Sequence, residues 1–140
     1  MEPDRVDIQL TVYSGDLPPS DVSVHLGLDP TSCLRKGEMS MNSRGRVKTA
    51  KVNAWFLESE KIVVENKVEH HLQWLVDTLA PRAMKLYELS QLPGVRVFLR
   101  CLVWTDQDAA RFVLAPRLSE GLARLGMPLE FEVVFYGDED

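Results

Sequence analysis

The adjacent histidines His70 and His71 are the first residues whose type and position could do chemistry, because Glu65 and Glu69 lie close to them in the chain. A zinc-dependent hydrolase helix carries two histidines four positions apart on one face, with a glutamate between them, so that both imidazoles reach one ion. Adjacent residues of a helix point about 100° apart and do not meet this requirement. We interpret the pair as part of a solvated helix face, and we predict neither a metal site nor a cofactor.

The second candidates for chemistry are the two cysteines, Cys33 and Cys101. A catalytic thiol or hydroxyl needs a base within hydrogen-bond reach, and the chain contains no GxSxG motif. His25 and Asp29 precede Cys33, but in no recognised catalytic arrangement. Because cysteine is so often interior, we predict that both cysteines are small, mostly buried residues. The sequence therefore predicts a protein that is not an enzyme.

The third candidate is a locally basic segment from Asp29 to Lys48. A phosphate-binding P-loop needs GxxxxGK followed by Ser or Thr at the start of a helix, whereas here the order is Lys-Gly and a strand follows. We predict a mobile, solvated hairpin, and a phosphate or small-ligand site centred on Arg35, Lys36 and Trp55 is the alternative. The basic residues of the segment are Arg35, Lys36, Arg44, Arg46 and Lys48, against Asp29 and Glu38.

Composition limits the classes of protein that this chain can represent. Its 140 residues, 45% hydrophobic and 26% charged, are typical of one globular domain that needs neither a metal nor a disulfide to fold. The net charge of −5 argues against nucleic acid as a partner. An acidic N-terminus and the absence of a long apolar run predict a soluble, cytoplasmic protein without a signal peptide or membrane contact.

The elements that must position these residues follow from periodicity. Strict alternation predicts a strand over 6–13, and similar patterns predict strands over 48–59, 95–104 and 129–136, with a short antiparallel return over 111–114. In the second of these strands, alternation divides Ala54 and Phe56 from Trp55 and Leu57, which lie on opposite faces.

Helical spacing and capping residues predict four helical segments. A short helix starts at a Ser20 cap and ends at Gly27; a long helix over 62–80 carries Val64, Val68, Leu72, Leu75 and Leu79 on one stripe. A further piece follows Pro81, and a last helix runs from Pro116 to Gly126. The stretches "SDVSVHLG" and "SEGLARLG" suggest an internal β-α-β duplication, although short capped helices favour the same letters.

These elements predict an α+β fold with one domain over 6–136. We expect a mostly antiparallel sheet with helices packed on one face, in a ferredoxin-like or related arrangement. An acidic, disordered tail is expected over 137–140.

The sheet face opposite the helices is predicted to be unusually apolar. Three explanations are open: the long loop folds over this face, the face is a partner or self-association surface, or helices cover both faces and these residues are core. A base-stacking nucleic-acid surface is less compatible with the acidic balance and with Glu130 and Glu132 on the same face. The candidate binding residues are Arg35, Lys36, Trp55, Arg96, Phe98, Arg100, Trp104 and Tyr136, with Tyr13, Leu57, Leu102 and Val134 emerging beside them.

The ordered motifs "SGDLPPSDVSVHLGLDP", "RKGE", "NAWFLES" and "VEHHLQWLVDTLAP" give the chain a family resemblance. From about Val6 to Tyr136 it resembles the bacterial family called domain of unknown function 4279. That resemblance implies a small cytosolic protein, with an immunity role against a protein toxin as one possibility, and it supplies no catalytic residues. We therefore expect a noncatalytic binding protein.

Overall fold

The computed structural model describes residues 2–137, so the expected tail falls outside the described residues apart from Gly137. The strands are β1 (Arg5–Gly15), β2 (Ser32–Leu34), β3 (Met39–Met41), β4 (Val47–Thr49), β5 (Asn53–Glu58), β6 (Arg96–Thr105) and β7 (Leu129–Phe135). The α-helices are α1 (Pro19–Leu26), α2 (Val68–Leu79), α3 (Ala83–Ser90) and α4 (Pro116–Leu125), with short 3₁₀ turns at Ser59–Lys61 and Ala80–Arg82.

Five strands form one sheet in the order β2-β5-β1-β6-β7, and β3 and β4 form a separate two-stranded ribbon. All neighbours are antiparallel except β6 and β7, which are parallel and joined through α4. The mostly antiparallel α+β fold is thus confirmed. Because β5 lies between β1 and β2, the first unit is a split β-α-β arrangement; the ferredoxin-like assignment itself stays a prediction.

The helices lie on one face of the sheet, which we call the packed face. α2 contacts β1, α1 contacts β5 and α3 contacts β6. The alternating residues of β1 that face them are almost fully buried, as are those of β6 and the stripe of α2. The side chains that build this core include Val6, Ile8, Leu10, Val12, Leu72, Leu75, Leu79, Leu99 and Val103.

The long helix begins at Val68 rather than at residue 62, so it is shorter than predicted. The backbone of Lys67 is extended (φ −95°, ψ 120°) and cannot continue the helix towards the N-terminus. Val64 consequently leaves the predicted stripe and is 95% exposed. The remaining positions of the stripe are buried as expected.

Both short helices end where the sequence predicts. Gly27 and Gly126 adopt left-handed backbone (φ 67° each), which costs glycine little and other residues more. The predicted Ser20 cap is wrong: α1 begins at Pro19, and Ser20 lies inside the helix without a capping hydrogen bond. α4 likewise begins at a proline and ends before a glycine. The similarity of "SDVSVHLG" and "SEGLARLG" thus coincides with two helices that begin and end in the same way. The strands around the two helices pair differently, since β1 and β2 are separated whereas β6 and β7 are adjacent.

Two further predictions about local structure are wrong. Residues 111–114 form no strand, because side chains anchor them instead: the Val113 amide donates to Glu69 and Phe112 stacks on Phe131. Cys33 is exposed, because it lies on the short edge strand β2. Among residues 2–137, no helix combines the length and the apolar character needed to cross a membrane.

Candidate binding surface

The face of the sheet away from the helices, which we call the open face, is arranged in rows by the strand register. Tyr13 lies opposite Ala54 on one side and Arg96 on the other, and Thr11 lies between Phe56 and Phe98 in the next row. In the third row, Gln9 lies between Glu58 and Arg100. The last two rows pair Asp7 with Leu102 and Arg5 with Trp104. The outer strand β7 adds Glu130, Glu132 and Val134 to this face.

One end of the open face is an aromatic cluster formed by Tyr13, Phe56 and Phe98. The Tyr13 ring lies 5.6 Å from that of Phe98 and 6.5 Å, edge-on, from that of Phe56. The Arg96 guanidinium lies 5.4 Å from the centre of the Phe98 ring, within cation–π range. All three rings are half-buried, and the helices that contact the sheet, α1, α2 and α3, lie on the packed face. This cluster offers a partner flat apolar area bordered by one positive charge.

A polar belt crosses the middle of the open face. The Arg100 Nε atom lies 3.8 Å from a Glu130 carboxylate oxygen; Nε itself is buried and donates no hydrogen bond to any residue between 2 and 137. At the other border, burial opposes ionisation of Glu58, but hydrogen bonds from Ser32 and Thr31, together with the Lys61 ammonium group, outweigh it and lower the pKa of that carboxyl. Charges therefore separate the two apolar ends of the face.

The far end of the open face is centred on Trp104. The Arg5 guanidinium lies 4.1 Å from the centre of the Trp104 ring and forms an ion pair with Glu60. The hydrogen bond from Arg5 lowers the pKa of the Glu60 carboxyl. The Glu60 amide in turn donates to Asp7 at 3.1 Å. Trp104 is thus half-buried beneath a cation that this carboxylate holds in place.

Tyr136 lies at the border of the same end. Its amide donates to the Thr105 carbonyl at 3.0 Å, and its side chain is 49% exposed. Interaction between the Tyr136 hydroxyl and the Asp4 carboxylate lowers the pKa of Asp4 and raises the pKa of Tyr136. Asp4 also accepts the Asp106 amide at 2.8 Å. The candidate residues Arg96, Phe98, Arg100 and Trp104 therefore share one side of the sheet, and Tyr136 lies at its border.

Trp55 does not belong to this surface, contrary to the prediction. The register pairs it with Val12, so its ring lies on the packed face, where it is fully buried and its Nε1 donates to Ser23 Oγ at 2.9 Å. Leu57 is buried on the same face for the same reason. Phe56, which sequence reasoning left off the surface, takes the place of Trp55 beside Tyr13.

Arg35 and Lys36 lie in a turn at the β2 border of the sheet. Lys36 is held there: its amide donates to Asn53 Oδ1 at 2.8 Å and its ammonium group to Asp16 at 2.7 Å. The Arg35 amide donates to the Glu38 carboxylate at 3.0 Å. Because Trp55 is buried on the packed face, Arg35, Lys36 and Trp55 do not form one ligand site.

Residues 37–50, which we call the arm, form a hairpin of β3 and β4. Every residue from 35 to 49 is exposed, so the arm does not fold over the open face. Met39 and Thr49 are paired, as are Met41 and Val47, and Met39, Met41 and Val47 are 68%, 70% and 54% exposed. The Asn42 side chain closes the tip by accepting the amides of Arg44 and Arg46.

The residues first considered for chemistry do not converge. His70 is exposed beside Glu65, but His71 is buried, so only His70 matches the predicted solvated face. Ser59 Oγ accepts the Ile8 amide and lies 2.6 Å from His71 Nδ1, and His71 Nε2 contacts the Glu65 carbonyl. Among residues 2–137, no group of three or more His, Cys, Asp or Glu side chains could hold a metal ion.

Cys101 is equally unsuited to nucleophilic chemistry. It is fully buried on β6, and burial raises the pKa of its thiol to about 12. A thiol with that pKa is protonated at neutral pH and does not act as a nucleophile. A surface concavity of about 380 Å³ lies between α3 and α4, bordered by Met84, Tyr87 and Arg124. Its lining is mostly apolar and holds neither histidine nor carboxylate.

Comparison with known proteins gives one finding. The family described as Domain of unknown function (DUF4279) matches residues 4–136, which is nearly the whole chain. Neither the curated proteins nor the solved structures gave a match to this chain.

Proposed function

We propose a function from the premise that this chain belongs to the DUF4279 family: it is a noncatalytic binding protein that recognises a protein partner through the open face. The observation that carries the proposal is the uncovered cluster of Tyr13, Phe56 and Phe98, together with Trp104 at the other end. Aromatic residues and arginine are enriched at protein interfaces and supply most of their binding energy.

The distribution of charge supports a protein partner. On the open face, arginines lie over aromatic rings, while Glu130 and Glu132 line the β7 border. With a net charge of −5, the chain attracts a basic partner over long range and accelerates its encounter in a salt-dependent way. The partner we propose is a basic protein toxin that the chain neutralises in the cytoplasm of a bacterium, as an immunity-type protein.

The experiment measures binding to the product of the neighbouring gene by calorimetry. Truncation of an aromatic residue at an interface hot spot costs about 2 kcal/mol or more of binding free energy. Phe98→Ala and Trp104→Ala should therefore each raise the dissociation constant about 30-fold. Tyr87→Ala is the matched control, because Tyr87 is an exposed aromatic residue on α3, on the helical side. If Phe98→Ala and Trp104→Ala bind the partner as tightly as Tyr87→Ala does, the interface lies elsewhere and the proposal is refuted.

The alternative function is a small-ligand or phosphate-binding regulatory domain that uses the basic 35–48 loop. Its support is the exposure of the cationic side chains there, although Lys36 is already paired with Asp16. Replacing Arg35 and Lys36 by alanine should abolish a rise in melting temperature caused by phosphate or nucleotides. A panel of such ligands that leaves the melting temperature of the natural chain unchanged would exclude this function.

A further inference from the structure

The arm is an unpartnered surface on the same chain as the open face. A two-stranded hairpin is at best marginally stable by itself in water, and exposed apolar patches mark contact sites. The exposed side chains of Met39, Met41 and Val47 give this hairpin an apolar side. Within residues 2–137, the chain thus carries two surfaces that lack cover: the apolar side of the arm and the open face of the sheet.

We propose that the arm of one copy of this chain lies across the open face of a second copy, with its tip towards β7 of that copy. This inference rests on the proposed function, because it uses the same open face. The arm of the second copy occupies that face when no other protein partner is bound. Methionine suits such a site, since its thioether adapts its shape and contacts aromatic ring edges favourably.

The dimensions of the two surfaces agree. The arm extends about six residues from its base to its tip, or about 20 Å at the rise of a β-strand. Five strands span about 19 Å at the usual spacing between strands. An arm of this length therefore reaches from the β2 border of a second copy to its β7 border.

The order of side chains along the arm also agrees with the order across the sheet. Met39 and Met41 lie between the base and the tip, and Arg44 and Arg46 lie at the tip. Across the open face, the rings of β5, β1 and β6 come first and β7 comes last; its acids lie further along the strands than the rings, with Glu130 beside Arg100 and Glu132 beside Leu102. Docked obliquely in this direction, the methionines contact aromatic rings while the long side chains of the two arginines approach Glu130 and Glu132.

Sedimentation velocity of the full chain over a wide concentration range tests this inference. The natural chain should form dimers as its concentration rises, and Met39→Ser with Met41→Ser should weaken the dimer about tenfold or more. Met84→Ser is the matched control, because Met84 is 69% exposed but lies on α3. A chain that stays monomeric at every concentration, or a dimer that tolerates the arm variant, would overturn the proposal.

A charge exchange identifies the surfaces that meet. The arm variant Arg44→Glu with Arg46→Glu and the face variant Glu132→Arg should each dimerise more weakly, and mixing them should restore association. Failure of the mixture to associate contradicts the proposed contact. The Phe98→Ala calorimetry remains a separate test of the proposed function. If Phe98→Ala loses toxin binding while the natural chain stays monomeric at every concentration, the arm contact alone is refuted. If the natural chain forms an arm-dependent dimer while Phe98→Ala binds the toxin with unchanged affinity, the proposed function alone is refuted.

Discussion

The two faces of the sheet come from the same alternating strands and yet differ in what closes them. On the packed face, helices bury Val6, Ile8, Leu10 and Val12 completely or almost completely. On the open face, Thr11 is buried between Phe56 and Phe98, and Asp7 is buried where the Glu60 amide of the 3₁₀ turn donates to it. The rings and arginines around these positions remain accessible. Side chains that are buried beneath a neighbouring helix thus stabilise the fold, whereas side chains that are only partly buried on the open face leave a surface that a partner can contact.

The largest expected effect compares two tryptophans on opposite faces. Trp55→Ala removes a fully buried ring from the packed face and should lower the free energy of unfolding by about 3–5 kcal/mol. Trp104→Ala removes a half-buried ring from the open face and should cost about 1 kcal/mol. Chemical denaturation of both variants measures the difference. Equal losses would mean that the open face is core, and that something covers it in the folded protein.

A smaller effect should distinguish the two adjacent histidines. His71→Ala leaves the buried Ser59 hydroxyl and the Glu65 carbonyl without their partner, which should cost about 1–3 kcal/mol. His70→Ala is the control, because the contact of His70 with Glu65 is exposed and contributes little. Thermal unfolding measures both. If the two variants are equally stable, the hydrogen bonds of His71 do not hold the segment before α2 against the sheet.

A third prediction isolates one hydrogen bond within the packed face. Trp55→Phe keeps most of the buried ring but loses the Nε1 donor to Ser23 Oγ, and we expect a loss of about 1 kcal/mol. Ser23→Ala removes the other partner and leaves the indole donor buried and unpaired, so its cost should be at least as large. Chemical denaturation of both single variants and of the double variant gives the coupling energy. Strictly additive losses would show that the contact between α1 and β5 does not depend on this bond.

Sequence reasoning succeeds where the deciding interaction is local. β6 alternates clearly, so the shared face of Arg96, Phe98, Arg100 and Trp104 followed from its letters alone. The ends of α1 and α4 followed from glycine, because left-handed backbone is a property of one residue.

It fails where the register between distant strands decides. β5 carries large apolar residues on both faces, so alternation separates Trp55 from Phe56 without saying which of them meets the helices. The pairing of Trp55 with Val12 settles that choice. The ion pair of Arg5 with Glu60 joins residues 55 positions apart, and no local pattern indicates it. The candidate surface was therefore predictable along one strand and unpredictable across strands.

The smallest expected effect concerns that ion pair at the Trp104 end of the open face. Because the pKa of Glu60 is lower in the folded chain than in the unfolded chain, its ion pair stabilises the fold above the unfolded pKa. That contribution is lost as the pH falls through the lowered folded value.

Glu60→Gln should therefore change the melting temperature slightly at neutral pH and not at all in strong acid, with an energy of a few tenths of a kcal/mol for so exposed a pair. Glu120→Gln is the control, since Glu120 is exposed and lies on α4, on the helical side of the sheet. Melting curves between neutral and acidic pH, read with tryptophan fluorescence, measure both effects. A Glu60→Gln difference that persists in strong acid would mean that Glu60 acts through packing against Arg5 rather than through charge, and the cation above Trp104 would then need no carboxylate to hold it.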